Sequence, residues 1–313
     1  GFTVFDLYIY PFGIHNKEEY SDLSGYFAGN VHRRANRTRV EDLIVIRFAA
    51  NRSLSEDEKN SINDFVSKTG EHYFRTKGPI TTAAKNACDF FNNLLNQINV
   101  KNNEKTPILG SFHLVVLNKD DLYLVQAGGA KSFYLSRTKF ERFEDKSYGM
   151  DGIGISKSLN LRFFHAKVAE SDRLIITSKP PQTWTKEALN VNNKLSISHL
   201  RRRILELSSI NFEAVIVQFR IGNGSVHQLK LDSNEFSQIE QDDEFPSDQT
   251  EPSEEFSSPI IAEDIEPNLK VDPHQIEKQN PPVNVQIAPN LFDFFPETDL
   301  DGKKTENLDQ LSN

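Results

Sequence analysis

"LGSFHLVVLNKDDLYLVQAGGAKSFYLSR", residues 109–137, decides the fold. Residues 110–118 are an apolar run of strand length, and "DLYLVQA" (121–127) and "SFYLSR" (132–137) follow within a few residues. Asp120 and Asp121 sit where a hairpin turn favours aspartate, and Gly128–Gly129 mark a second tight turn. Strands joined this closely pair antiparallel, because parallel neighbours need a crossover of a dozen or more residues. The second turn raises a chemical question. Loop tips on a rigid scaffold commonly carry function, yet residues 127–131 hold neither an acid nor a nucleophile.

Outward from this hairpin, "FTVFDLYIY" (2–10) alternates loosely and reads as a strand. Residues 16–40 are polar and irregular, with "HRRANRTR" (32–39) as a basic cluster. "DLIVIRFAA" (42–50) predicts a strand buried on both faces. Ser55 with Glu58 three residues later forms a capping box, and Ile62, Phe65 and Val66 give that helix its apolar stripe. Over 81–98, Ala84, Ala87, Cys88, Phe91, Leu94, Leu95 and Ile98 recur at spacings of three and four, a second helix with Cys88 on its packed face. Strands follow at 161–169 and 172–178, a helix carries Ile197, Leu200, Ile204 and Leu207, and strands 212–220 and 225–231 close the series. Strands grouped in hairpins, with helices set apart from them, predict an α+β fold.

The net charge of −9 is unevenly spread. Residues 231–313 hold 21 acids and 4 bases, leaving 24 acids and 32 bases in residues 1–230. Periodicity stops near residue 232. We therefore expect a folded body over 1–232 and an acidic disordered tail over 233–313. The aromatic island "NLFDFFPE" in the tail makes Leu291, Phe292, Phe294 and Phe295 a candidate docking motif. A single cysteine excludes an intrachain disulfide and favours a reducing compartment. With no apolar run long enough to span a membrane and no leader-like start, the expected location is the cytoplasm.

No metal-ligand spacing, nucleophile elbow or phosphate-binding glycine loop occurs in the sequence. The arginines lack an aromatic platform beside them, which argues against a nucleic-acid partner.

Several segments carry a resemblance. Residues 109–137 resemble the central hairpin of the metal-dependent serine/threonine protein phosphatases, the PPM or type 2C family, whose second strand ends in Gly-Asp-Ser-Arg. "ESDRLIITSKPPQTW" (170–184) resembles that family's next signature, a Gly-Asp-Arg turn, an apolar strand and Ser-Asp-Gly-Leu. "INFEAVIVQFR" (210–220) resembles the closing strand, which begins Asp-Asn, and "GIGIS" (152–156) falls at a Leu-Gly turn. The resemblance is good over 108–220, looser over 1–107 and absent beyond 232. It implies an αββα sandwich of two antiparallel sheets flanked by helices.

It also answers the question of the hairpin tip. Gly129 stands where the family has an aspartate, Ala130 and Lys131 where it has Ser and Arg, Lys179 at a second aspartate and Asn211 at a third. The family's Asp-Gly-(x)-Gly-Gly would follow strand 42–48, where this chain reads "RFAANRS". Activity in that family rests on two Mn²⁺ or Mg²⁺ ions bridged by carboxylates, and hard cations need anionic oxygen. The resemblance thus implies a pseudophosphatase, a binding or regulatory module for another protein, with no catalytic, cofactor or metal residues. Lys131, Lys179, Arg33, Arg34 and Arg37 are candidate anion-binding residues, if the 32–39 loop lies near the former metal face. Two alternatives stand beside this reading. One is a divergent active phosphatase rebuilt from acids such as Asp120, Asp121, Asp151 or Asp172. The other is an unrelated α+β binding domain.

Overall fold

The computed structural model describes residues 3–30, 34–102, 106–144, 152–156, 159–189 and 196–230. The tail from 233, the Leu291–Phe295 motif, Arg33 and Asp151 lie outside the described residues.

In chain order the elements are β1 (Phe5–His15), β2 (Glu18–Tyr20), β3 (Tyr26–Gly29), β4 (Asp42–Ala50), α1 (Glu56–Arg75), α2 (Ile80–Lys101), β5 (Gly110–Asn118), β6 (Asp121–Ala127) and β7 (Lys131–Leu135). They continue with β8 (Phe140–Phe143), β9 (Arg162–Lys167), β10 (Arg173–Thr177), α3 (Lys186–Leu189), α4 (Ile197–Leu207), β11 (Phe212–Ile221) and β12 (Val226–Gln228). Among the described residues these strands form two sheets. One runs β12-β1-β11-β10-β7-β8, with β2 added beside β1; the other runs β3-β4-β5-β6-β9. Every pairing is antiparallel except β12 on β1.

The apolar run of β4 is continuous because both of its faces are covered. Ile44, Ile46 and Phe48 pack under α1 and α2, while Leu43 and Val45 face the other sheet. β5 divides likewise, Phe112, Leu114 and Val116 toward the helices and Val115 and Leu117 toward the second sheet. A third cluster, with Trp184, Leu189, Leu200 and Ile204, covers the outer face of the larger sheet. The layers are therefore helix, sheet, sheet, helix, as the sequence implied.

The Ser55–Glu58 capping box forms in both directions. Phe91 of α2 sits between Phe48 and Phe112, ring centroids 5.1 and 4.8 Å away. Cys88 is fully buried, and burial pushes its thiol pKa up, which suits a core residue and not a reactive one. Pro11, which has no N–H to donate, falls between the stretches of β1 that β12 and β2 cover.

The segment 16–40 is more regular than expected. It contains β2, β3 and a 3₁₀ turn at Arg37–Arg39. Asn16 and Lys17 both take positive φ, 51° and 69°, the geometry of a tight two-residue hairpin turn. β8 and α3 were also unforeseen; each is four residues long and too short to show a period. Among the described residues no helix is long and apolar enough to cross a membrane.

Candidate functional site

Strand ends from both sheets meet at one end of the sandwich. In the larger sheet Thr177 of β10 lies opposite Lys131 of β7 and Ala214 of β11, so Gly129, Lys179 and Asn211 all fall just beyond that line. In the smaller sheet Ala50 pairs with Gly110, and Phe112 with Ala127, which brings the end of β4 to the same place. β6 and β7 do not pair as their close spacing implied: β6 belongs to the smaller sheet and β7 to the larger, and the chain crosses between the sheets through Gly128–Gly129. Gly128 has φ +65°, and a Cβ there would meet the Gly110 carbonyl oxygen at 2.6 Å, so only glycine fits. Gly129 differs, because nothing lies within 4 Å of a Cβ at that position. The missing carboxylate there is not dictated by packing.

Two rows of polar side chains face one another across this mouth. Tyr26, Arg47, His113, Gln126 and Arg162 are cross-strand neighbours in the smaller sheet. Opposite them, Gly13 pairs with both Tyr20 and Glu213 in the larger sheet. The Arg47 guanidinium is buried and reaches across the gap to the Glu213 carboxylate. It also donates to the carbonyl of Ser24, at 2.6 Å, and to that of Phe48. Burial lowers the Arg47 pKa and the charge of Glu213 opposes that shift. Tyr20 donates to the other oxygen of Glu213 at 2.8 Å, and its ring covers Gly13.

His113 Nε2 lies 3.0 Å from the Lys131 carbonyl oxygen, and Gln126 Nε2 donates to Ser132 Oγ at 2.7 Å, two further ties between the sheets. Ser111 Oγ, His113 Nδ1 and Gln126 Oε1 are buried without a hydrogen-bond partner in the protein. Burial depresses the His113 pKa to about 3, and the nearby charges of Arg47 and Arg162 push it the same way. Two guanidinium groups, Arg47 and Arg162, thus stand beside a buried neutral imidazole at the mouth.

A pair of divalent metals does not fit these residues. Such ions need several anionic oxygens, and three of the described carboxylates near the mouth are already committed to basic partners. Arg47 holds Glu213, Arg52 holds Glu58, and Lys131 with Arg142 holds Glu144. Among the described residues no group of three histidines, cysteines or acids could hold a metal ion.

The sequence-predicted positions divide clearly. Lys131 and Lys179 are at the mouth, Lys179 exposed and Lys131 within 3.7 Å of Glu144. Asn211 is near it but is spent on the β1–β2 turn, its Oδ1 accepting from the Asn16 N–H at 3.0 Å. Arg34 and Arg37 are not there. Their loop is fixed at the opposite end of β4, where Arg39 donates to Asp42 at 3.0 Å and Asn36 N–H donates to Phe74. The structure therefore does not bring Arg34 and Arg37 together with Lys131 and Lys179, and Arg33 lies outside the described residues.

Of the acids named as able to rebuild a site, Asp151 lies outside the described residues, and the other three are away from the mouth. Asp120 and Asp121 lie in the β5–β6 turn, paired with Lys167 and His165. Asp172 accepts from the Tyr134 hydroxyl and the Ala169 N–H. A concavity of about 390 Å³ opens at that far end, lined by Arg137, Lys139, Lys167 and Asp172 among others. Two of its cations are already neutralised, Lys139 by Glu141 and Lys167 by Asp120 and Asp121.

Two facing antiparallel sheets with helices outside both, and a mouth where the β4, β7, β10 and β11 ends converge, define the fold of the metal-dependent serine/threonine phosphatases. Solved structures bear this out at the level of fold. The S. agalactiae serine/threonine phosphatase is 10% identical, with a TM-score of 0.50 over 67% of this chain and 98% of that one. The phosphatase Stp1 from Staphylococcus aureus is 13% identical, with a TM-score of 0.50 over 68% of this chain and 95% of that one. No family model matches the sequence, and no curated protein matches it either. The fold likeness sets aside the unrelated α+β domain.

Proposed function

We propose that this chain carries the phosphatase fold without its hydrolytic chemistry and serves as a binding or regulatory module for another protein. One observation carries the reading: a buried arginine, Arg47, is ion-paired to Glu213 at the mouth where the β4, β7, β10 and β11 ends converge. A guanidinium there repels divalent cations, and the hydroxide that such metals generate is what attacks a phosphoryl ester. Lys131 and Lys179 give the same mouth a cationic rim, suited to an acidic segment of a partner protein. The lone buried cysteine and the lack of a spanning helix among the described residues accord with a cytoplasmic setting.

The test is turnover of p-nitrophenyl phosphate and of a phosphoserine peptide by the full chain, with Mn²⁺ or Mg²⁺ added. We expect rates no higher than those of heat-treated protein. Metal-stimulated turnover that is lost on Glu213→Gln would overturn the proposal.

A further inference from the structure

We propose that Arg47 is the built-in cation of this sandwich: its guanidinium ties the two sheets together at the mouth and makes that end of the fold independent of divalent metal. The inference rests on the pseudophosphatase reading but concerns assembly of the fold. Three observations converge on it. Arg47 opens "RFAANRS", the segment that stands where the resembled family would have its Asp-Gly-(x)-Gly-Gly turn and lacks those residues. Its side chain crosses from the smaller sheet to Glu213 of the larger one. The same guanidinium is shared by the carbonyls of Ser24 and Phe48, so one cation gathers the β4 end, the residues before β3 and the β11 start. A bridging metal gathers anionic and carbonyl oxygens from separate segments in the same way. The buried charge here is the guanidinium itself, 4% exposed, which needs the carboxylate and carbonyl oxygens it gathers.

Thermal melts of the full chain test this in two arms. In the first, the wild-type melting temperature is read with excess Mn²⁺ and with EDTA, and the two should coincide. In the second, Arg47→Met should lower it by roughly 5–10 °C. Glu213→Gln should lower it by a similar amount, because it leaves the 4% exposed guanidinium without its carboxylate. The double variant should lose clearly less than the sum of the two, the signature of a coupled pair. If Arg47→Met does not fold, Glu213→Gln and the wild-type arm still decide. Additive losses, or an Arg47→Met melt equal to wild type, overturn the brace while leaving the metal-free reading standing. A wild-type melt raised by Mn²⁺ and lowered by EDTA overturns both.

Discussion

Asp42→Ala should destabilise the folded chain by about 3–5 kcal/mol, the cost of stranding a buried charge. Asp42 is fully buried at the first residue of β4. One of its oxygens accepts from Arg39 at 3.0 Å and from the Tyr73 hydroxyl at 2.8 Å, and the other accepts from Asn118 at 2.7 Å. These bonds join the 32–39 loop, α1 and the β4–β5 edge at the end of the sandwich away from the mouth. The Arg39 side chain is only 2% exposed and lies over the Tyr73 ring, so water cannot take the place of the lost carboxylate. Urea unfolding of the wild type and Asp42→Ala measures the loss. Asp42→Asn keeps one acceptor oxygen and should lose clearly less. A drop below about 1 kcal/mol for the alanine variant would mean that the network is ornamental.

The second large effect is an acid limb set by His113. Its pKa is held near 3 in the folded chain against an ordinary 6.5, chiefly by burial. Below pH 6.5 the unfolded chain takes up a proton that the folded chain refuses. Stability is therefore fully present above pH 6.5 and falls as pH drops toward 3, by about 1.4 kcal/mol per unit and up to roughly 5 kcal/mol in all. Asp172, whose pKa burial raises, works in the opposite sense, so one variant is needed to isolate the histidine. His113→Gln retains a donor for the Lys131 carbonyl and carries no titrating group. Its denaturation midpoints from pH 7 to pH 4 should decline less steeply than those of the wild type. Parallel acid limbs would show that His113 does not govern them.

Much of the scaffold was legible because its elements are long and strongly patterned. The strands at 110–118 and 121–127 and the Ser55 capping box appear where the sequence put them. β2, β3 and β8 escaped notice because three or four residues with charged or small side chains carry no readable alternation. The mouth was half legible. Gly129 and Lys179 lie together at the mouth, each just past a recognisable strand.

Arg47 was missed although an arginine inside "DLIVIRFAA" is itself a signal. A charge in a strand covered on both faces must find a partner. That partner, Glu213, is 166 residues away, and only the folded sheets reveal the pair. The placement of the loop that carries Arg34 and Arg37 was not legible, for the converse reason. Its position is set locally by Arg39 and Asp42, three residues apart, which fix the loop to the start of β4 and not to its end.

We propose that an arginine ion pair stands at the mouth of this phosphatase-like fold in place of bound metal. Equilibrium dialysis of the full chain against Mn²⁺, followed by elemental analysis, tests it most directly. The account predicts no manganese above that of the dialysis buffer. Two equivalents retained per chain, the complement of a two-metal hydrolytic site, would contradict it.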